Sequence, residues 1–196
     1  MNWIKLLFIG IVGFGIFQHF SETPVKHGAG VLAPDEPVQS SLDAVHAQTL
    51  NGYQIVPLAN FEIKARVLSR EDYSLGREAE LSPVDFALGW GRMSDETVLN
   101  EIYISQSNRF YYWRVNNFPI PREEIETHSA NMHMIPADRL VEERLESVRV
   151  GQVVRLNGYL IEAKTPDGWR WRSSLTRNDT GYGACELLLV KRIEVM

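Results

Sequence analysis

The sequence predicts a mainly β, α+β protein: a transmembrane helix at the N-terminus, then a single β-rich domain with short helices. Three observations carry this. Residues 3–20 read WIKLLFIGIVGFGIFQHF, almost wholly apolar. Residues 61–68 alternate apolar Phe61, Ile63, Ala65 and Val67 with polar Glu62, Lys64 and Arg66, the period of a half-buried strand. The last third holds strand-like runs separated by a strong turn signal at Pro166-Asp167-Gly168.

The opening segment has the chemistry of an anchor. Eighteen helical residues span roughly 27 Å, slightly less than a hydrocarbon core of about 30 Å. Trp3 at one end, with Gln18 and His19 at the other, suits the two interfacial zones. A cleaved signal peptide would need small residues just after the apolar run. Gly28-Ala29-Gly30 lies well beyond Phe17, and Leu32-Ala33 is followed by Pro34, so the sequence favours an uncleaved anchor. A buried core helix fits less well, because the run has no polar face. Lys5 precedes the segment, while Lys26 follows it beside Glu22, a weak bias toward a cytoplasmic N-terminus and an extracytoplasmic domain.

Charge and cysteine usage narrow the partners. The chain of 196 residues has a net charge of −5. An acidic surface argues against nucleic acid, whose non-specific binding rests on phosphate neutralisation. The single cysteine, Cys185, excludes an intrachain disulfide and a Cys-based zinc cluster. No dinucleotide, P-loop, GxSxG or HExxH pattern occurs, so the sequence points to no cofactor and leaves open whether the chain is an enzyme.

After the anchor (residues 1–20), residues 21–52 read as a tether and short helix, and residues 53–196 as the folded domain. Pro24, Pro34 and Pro37 with small residues mark the tether, and Ser41 is a plausible cap for a helix over Leu42–Leu50. Gln54–Leu58 and Phe61–Leu68 are expected strands. Ser82–Trp90 and Asp95–Ile102 are expected short helices, started by Ser82-Pro83 and Ser94-Asp95. Arg109–Val115, with four consecutive aromatics, and Thr127–Ile135 follow as strands. Asp138–Ser147 groups Leu140, Val141, Leu145 and Val148 on a helical face. Gln152–Ala163, Trp169–Thr176 and Cys185–Val195 complete the set. Gly158 inside its strand suggests a bend or bulge. A helix set between two groups of strands resembles the strand, strand, strand, helix, strand, strand order of an OB-fold barrel, the expected architecture.

Four runs carry a resemblance: Val84-Asp-Phe-Ala-Leu-Gly-Trp-Gly-Arg-Met-Ser-Asp95, Ile104-Ser-Gln-Ser107, Asn131-Met-His-Met-Ile-Pro136, and Trp171 to Glu186. Together they resemble a family of uncharacterised bacterial proteins, membrane-anchored or exported. The resemblance spans Phe61 to the C-terminus. It implies kinship of fold and supplies no catalytic residue.

Candidate site residues come from the polar runs. Asn131 and His133 share one strand face, so Asn131 is expected to fix the imidazole tautomer. His128 and His133 are five positions apart, which on a strand puts them on opposite faces and disfavours a shared metal. Arg172 and Ser174 share a face with Arg170 and Thr176, and Arg177 and Asp179 enter a glycine-bearing loop. Arg172 and Arg177 would hold an anion, with Ser174 and Asp179 orienting it. The competing reading makes Asp179-Thr180-Gly181 a simple turn and pairs the arginines with surface acids. Cys185 heads an apolar run and reads as core, although His133 would be its base were it a nucleophile. Asp85, Trp90, Arg92 and Asp95 surround Gly89 and Gly91 as a further polar and aromatic cluster.

The expectation is a membrane-tethered extracytoplasmic binding or scaffold module. It is held by residues 3–20 and engages another envelope protein or a small polar ligand. The alternative is an envelope enzyme with a site drawn from His133, Arg172, Arg177 and Asp179, with Asp85 as a further member.

Overall fold

The computed structural model describes residues 23–176 and 185–196. The anchor expected over residues 3–20 lies outside the described residues, among which no helix is long and apolar enough to cross a membrane. The fold is mainly β and built around one eight-stranded sheet.

Its spine is a 20-residue strand, β3 (Tyr53–Asp72). The sequence divides this strand into two, but a bulge carries the backbone past Leu58, where the ladder shifts between Pro57 and Ala59. The first part of β3 pairs antiparallel with β8 (Val153–Lys164), and the last part with β4 (Val84–Gly89). β4 pairs with β7 (Ser129–Pro136), which runs parallel to β10 (Glu186–Val195), and β10 pairs antiparallel with β8. Each of these five strands is thus hydrogen-bonded to two of the others.

Between β7 and β8 lies the helix α3 (Arg139–Glu146). Asp138 caps it, its carboxylate accepting from the Val141 amide at 3.0 Å. Val141 and Leu145 face the main core, while Leu140, grouped with them by sequence, points to solvent at 74% exposure.

That core collects the inward residues of all five strands: Phe61 and Ile63, Phe86 and Leu88, Met132 and Met134, Leu156 and Leu160, Leu188 and Val190. The other face of β8 and β10 is buried too, with Ile161, Leu187 and Leu189 packed near Trp169 and Trp171 of the β9 region (Arg170–Arg172). A third cluster, with Met93, Val98, Ile102, Ile120 and Ile125, underlies a hairpin of β5 (Ile102–Ser107) and β6 (Phe110–Val115).

Several expectations are corrected. Ser82–Trp90 contains the strand β4, not a helix. Val84, Phe86 and Leu88 face the core while Asp85, Ala87 and Gly89 alternate beneath the hairpin, so a strand buried on both faces hides its period. The helix α1 is only Glu96–Leu99, after a 3₁₀ turn at Gly91–Ser94, because β5 starts at Ile102. A further helix, α2 (Arg122–Thr127), precedes β7.

No helix forms over Leu42–Leu50. Its end is β2 (Gln48–Leu50), which turns through Asn51-Gly52 to pair with β3. Nor does the stretch read as a tether stand away from the domain. Residues 23–36 run across it as a strap, and β1 (Val38–Ser40) pairs with β3. The Val25 amide donates to Val150 O at 2.8 Å, the Gly91 amide to Ala33 O at 2.8 Å, and Ala33 is fully buried. The strap's backbone groups find partners on the domain in place of water.

Candidate functional site

Antiparallel pairing places Asp85 of β4 directly opposite His133 of β7. Both point away from the main core, and they are 0% and 3% exposed. His133 Nδ1 lies 2.9 Å from Asp85 Oδ2. The contact is close but poorly aligned, so neither atom has a well-directed hydrogen bond. The other carboxylate oxygen is better served. Asp85 Oδ1 accepts from Arg109 Nη1 at 2.7 Å and from Ser82 Oγ at 3.2 Å.

Arg109 reaches this carboxylate from the hairpin tip. Asn108 and Arg109 occupy the two central positions of the turn with φ of 54° and 70°, the positive values such tight hairpin turns require. The turn lays the guanidinium 3.6 Å from the centre of the Tyr73 ring, and the Arg109 amide donates to Tyr73 Oη at 2.9 Å. Burial pushes the Tyr73 phenol up, against the pull of that amide, and the nearby Asp85 charge pushes it further. Trp171 closes the far side, its ring centre 4.7 Å from that of His133.

Alternate residues of β7 are gripped in turn by the hairpin. Asn131 Nδ2 donates to Arg109 O at 2.9 Å, and its Oδ1 accepts from Gln106 Nε2 at 2.7 Å. Ser129 Oγ and Tyr111 Oη lie 2.5 Å apart, and burial pushes that phenol up to about 12. Cys185 Sγ sits 3.7 Å from Arg109 O and 3.8 Å from Asn131 Nδ2. Ser129, Asn131 and His133, every second residue of one strand, therefore form a polar row under a lid of the chain's own residues.

The structure brings together some of the residues expected at a site and separates others. His133 and Asn131 share the row, but Asn131 bonds to the hairpin, and the group beside the imidazole is Asp85. Arg172 is elsewhere. It donates to Glu162 at 3.3 Å, beside Lys164 Nζ at 2.7 Å and Arg170. Burial opposes ionisation of Glu162, which is 2% exposed, yet the three cations outweigh it and hold the carboxyl below its ordinary value. Ser174 Oγ accepts from the Thr176 amide at 3.1 Å and so shapes a local turn. Arg177 and Asp179 lie outside the described residues.

The cluster around Gly89 and Gly91 also divides. Trp90 Nε1 donates to Glu36 at 2.8 Å, Arg92 pairs with Glu124, and Asp95 caps α1 through the Thr97 amide. His128 Nε2 meets Glu36 at 2.9 Å, well apart from the His133 row. Among the described residues no group of three or more His, Cys, Asp or Glu side chains is placed to hold a metal ion. Arg109, Tyr73, Ser82 and Trp171 were missed in the sequence. The one local signal was Asn108 between two strand-like runs.

A second feature is a cavity of about 260 Å³ between the strap and β3, walled by Val25, Leu68, Leu99, Ile102 and Ile104 and edged by Lys26, Arg66 and Glu96. Arg66, 5% exposed, pairs with Glu96 and donates to Ser94 O at 3.3 Å, while its Nε is buried without a partner. Burial opposes the Glu96 charge, but Arg66 and the His27 amide at 3.1 Å outweigh it and keep the carboxyl below its ordinary value. His27 Nε2 is 2.8 Å from Gly151 O. A Cβ on Gly151, where φ is +90°, would lie 1.9 Å from Val25 O, so only glycine lets the strap seat here.

No family model matches this chain, and no curated protein or solved structure gives a significant match.

Proposed function

We propose that this chain is a membrane-tethered, extracytoplasmic binding or scaffold module built on an OB-like barrel and related to the bacterial family it resembles. The circuit of ladders supports the barrel reading. Strands β3, β4, β7, β10 and β8 follow one another, β8 returns to β3, β7 and β10 are parallel, and α3 bridges β7 to β8.

One observation carries the choice of binding over catalysis. The polar row containing His133 is sealed, with its carboxylate, amide and hydroxyl groups engaged by the hairpin. What the hairpin offers outward is aromatic instead. Tyr103 and Tyr112 are 58% and 53% exposed on one face, with Arg114 set 4.4 Å over the Tyr103 ring. Such amphipathic rings are suited to protein contacts.

Two measurements test the reading. His133→Ala is expected to lower folding stability by about 2 kcal/mol, through lost packing and a buried carboxylate left with one partner fewer. An unchanged urea midpoint would favour the enzyme alternative. In intact cells, a Leu75→Cys chain, altered at a residue 89% exposed, should react with a membrane-impermeant maleimide added from the extracytoplasmic side. Reaction only after lysis would reverse the orientation, and release of the chain by alkaline carbonate would remove the tether.

A further inference from the structure

We propose that the cavity beneath the strap receives an acidic membrane lipid. An alkyl chain would lie along Leu68, Leu99 and Ile104, and the anionic headgroup would meet Lys26 and Arg66. This rests on the reading of residues 3–20 as a membrane anchor and assigns a ligand class to a site that the binding-module reading leaves open.

The lining is chemically two-sided. Its walls are aliphatic, which suits a hydrocarbon and gives nothing to a small soluble anion. Its polar edge has a cationic surplus. Glu96 is engaged by Arg66 and by the His27 amide, so its charge is matched, and exposed Lys26 remains at the rim. Arg66 Nε, buried and without a partner, is a further donor at that edge. A buried guanidinium N–H without a partner costs free energy that an anionic oxygen would offset.

Position points to the same ligand. The strap is fixed to the domain from Val25 onward, through the Val25–Val150 backbone bond and the close approach at Gly151. Three residues separate Phe20 from Pro24, and even fully extended the four steps between them reach only about 14 Å. The cavity therefore opens close to the interfacial zone of the bilayer, where headgroups occupy about 5–7 Å on each side. A domain on a long tether would have no such placement.

The test uses the full chain in vesicles of phosphatidylcholine and phosphatidylglycerol, carrying trace phosphatidylglycerol with a photoactivatable acyl chain. Irradiation is expected to yield an adduct on peptides containing Leu68, Leu99 or Ile104. Lys26→Glu, a change at an exposed residue, should cut the yield about five- to tenfold by reversing one charge near the surface. Leu99→Trp, which fills the cavity, should abolish it. An adduct confined to residues 1–20, or equal labelling by photoactivatable phosphatidylcholine, would overturn the proposal. Flotation of the chain with the vesicles is scored separately. A chain that does not float refutes the membrane tether. A floating chain whose cavity is labelled only by free photoactivatable palmitate refutes the bilayer as the lipid's source.

Discussion

Asp85→Ala is expected to cost about 3–5 kcal/mol of folding stability, the largest effect of any single side chain in the polar row. The carboxylate is fully buried and stands between Arg109 Nη1 and His133 Nδ1. Removing it leaves a guanidinium, 17% exposed at its side chain, with no counter-charge, and an imidazole with no polar neighbour at Nδ1. The loss should appear as a lower urea midpoint followed by tryptophan fluorescence. It should be accompanied by faster amide exchange in Ile102–Val115, because Arg109 fastens the hairpin tip. The double variant Asp85→Ala, Arg109→Ala should be less destabilised than the two single changes summed, since one buried charge no longer strands the other. Additivity, or a single-variant cost below about 1 kcal/mol, would show that the row does not hold the hairpin.

Gly158→Ala should be nearly as damaging, at about 3 kcal/mol or more, through a steric cause. Gly158 pairs on one side with Phe61 of β3 and on the other with Val190 of β10. A Cβ there would lie 1.9 Å from Leu189 O, a backbone atom that no side-chain rotation can move. The β10 ladder skips a residue next to this point, between Val190 and Arg192, so the strand is already bent around the missing side chain. Calorimetry of the full chain in detergent micelles checks this. A drop in Tm of less than a few degrees would mean that β10 can shift to make room.

The same glycine shows what could be read from sequence. A glycine inside the strand signalled a bend or bulge there, but β8 keeps its register through Gly158 and the bulge lies across from it, at Lys191 of β10. The final third was legible because its signals are local: a capped amphipathic helix, a Pro-Asp-Gly turn, and apolar runs long enough to be buried strands. The error at Leu42–Leu50 had a local remedy, since Asn51-Gly52 is among the strongest two-residue hairpin signals. The strand β4 had none. Its outward face is covered by a hairpin whose docking is a tertiary event, so Asp85 and Ala87 gave it no solvent-facing period. The site divides in the same way. Asn131 and His133 could be placed on one face by counting residues. The link from His133 to Asp85 depends on the register between β4 and β7, and the link to Arg109 depends on where a hairpin tip lands. Arg172 was placed on the correct face with Arg170, but its partner Glu162 is set by the pairing of β8 and β9.

The long strand β3 also sets the pace of folding. Its main partner is β8, and the ladder joins Gln54 to Lys164 at one end and Arg66 to Val153 at the other. A ribosome must make nearly the whole domain before that partner exists, and closing so large a loop is entropically slow. Sheets dominated by such non-local pairing fold slowly compared with helical bundles. Until then an apolar edge rich in Phe, Ile and Val stands unpaired, the type of segment on which chains aggregate. Glu62 and Lys64, set between Phe61, Ile63 and Ala65, act as gatekeepers during that interval: they interrupt the hydrophobic run with charge before the fold itself can hide it.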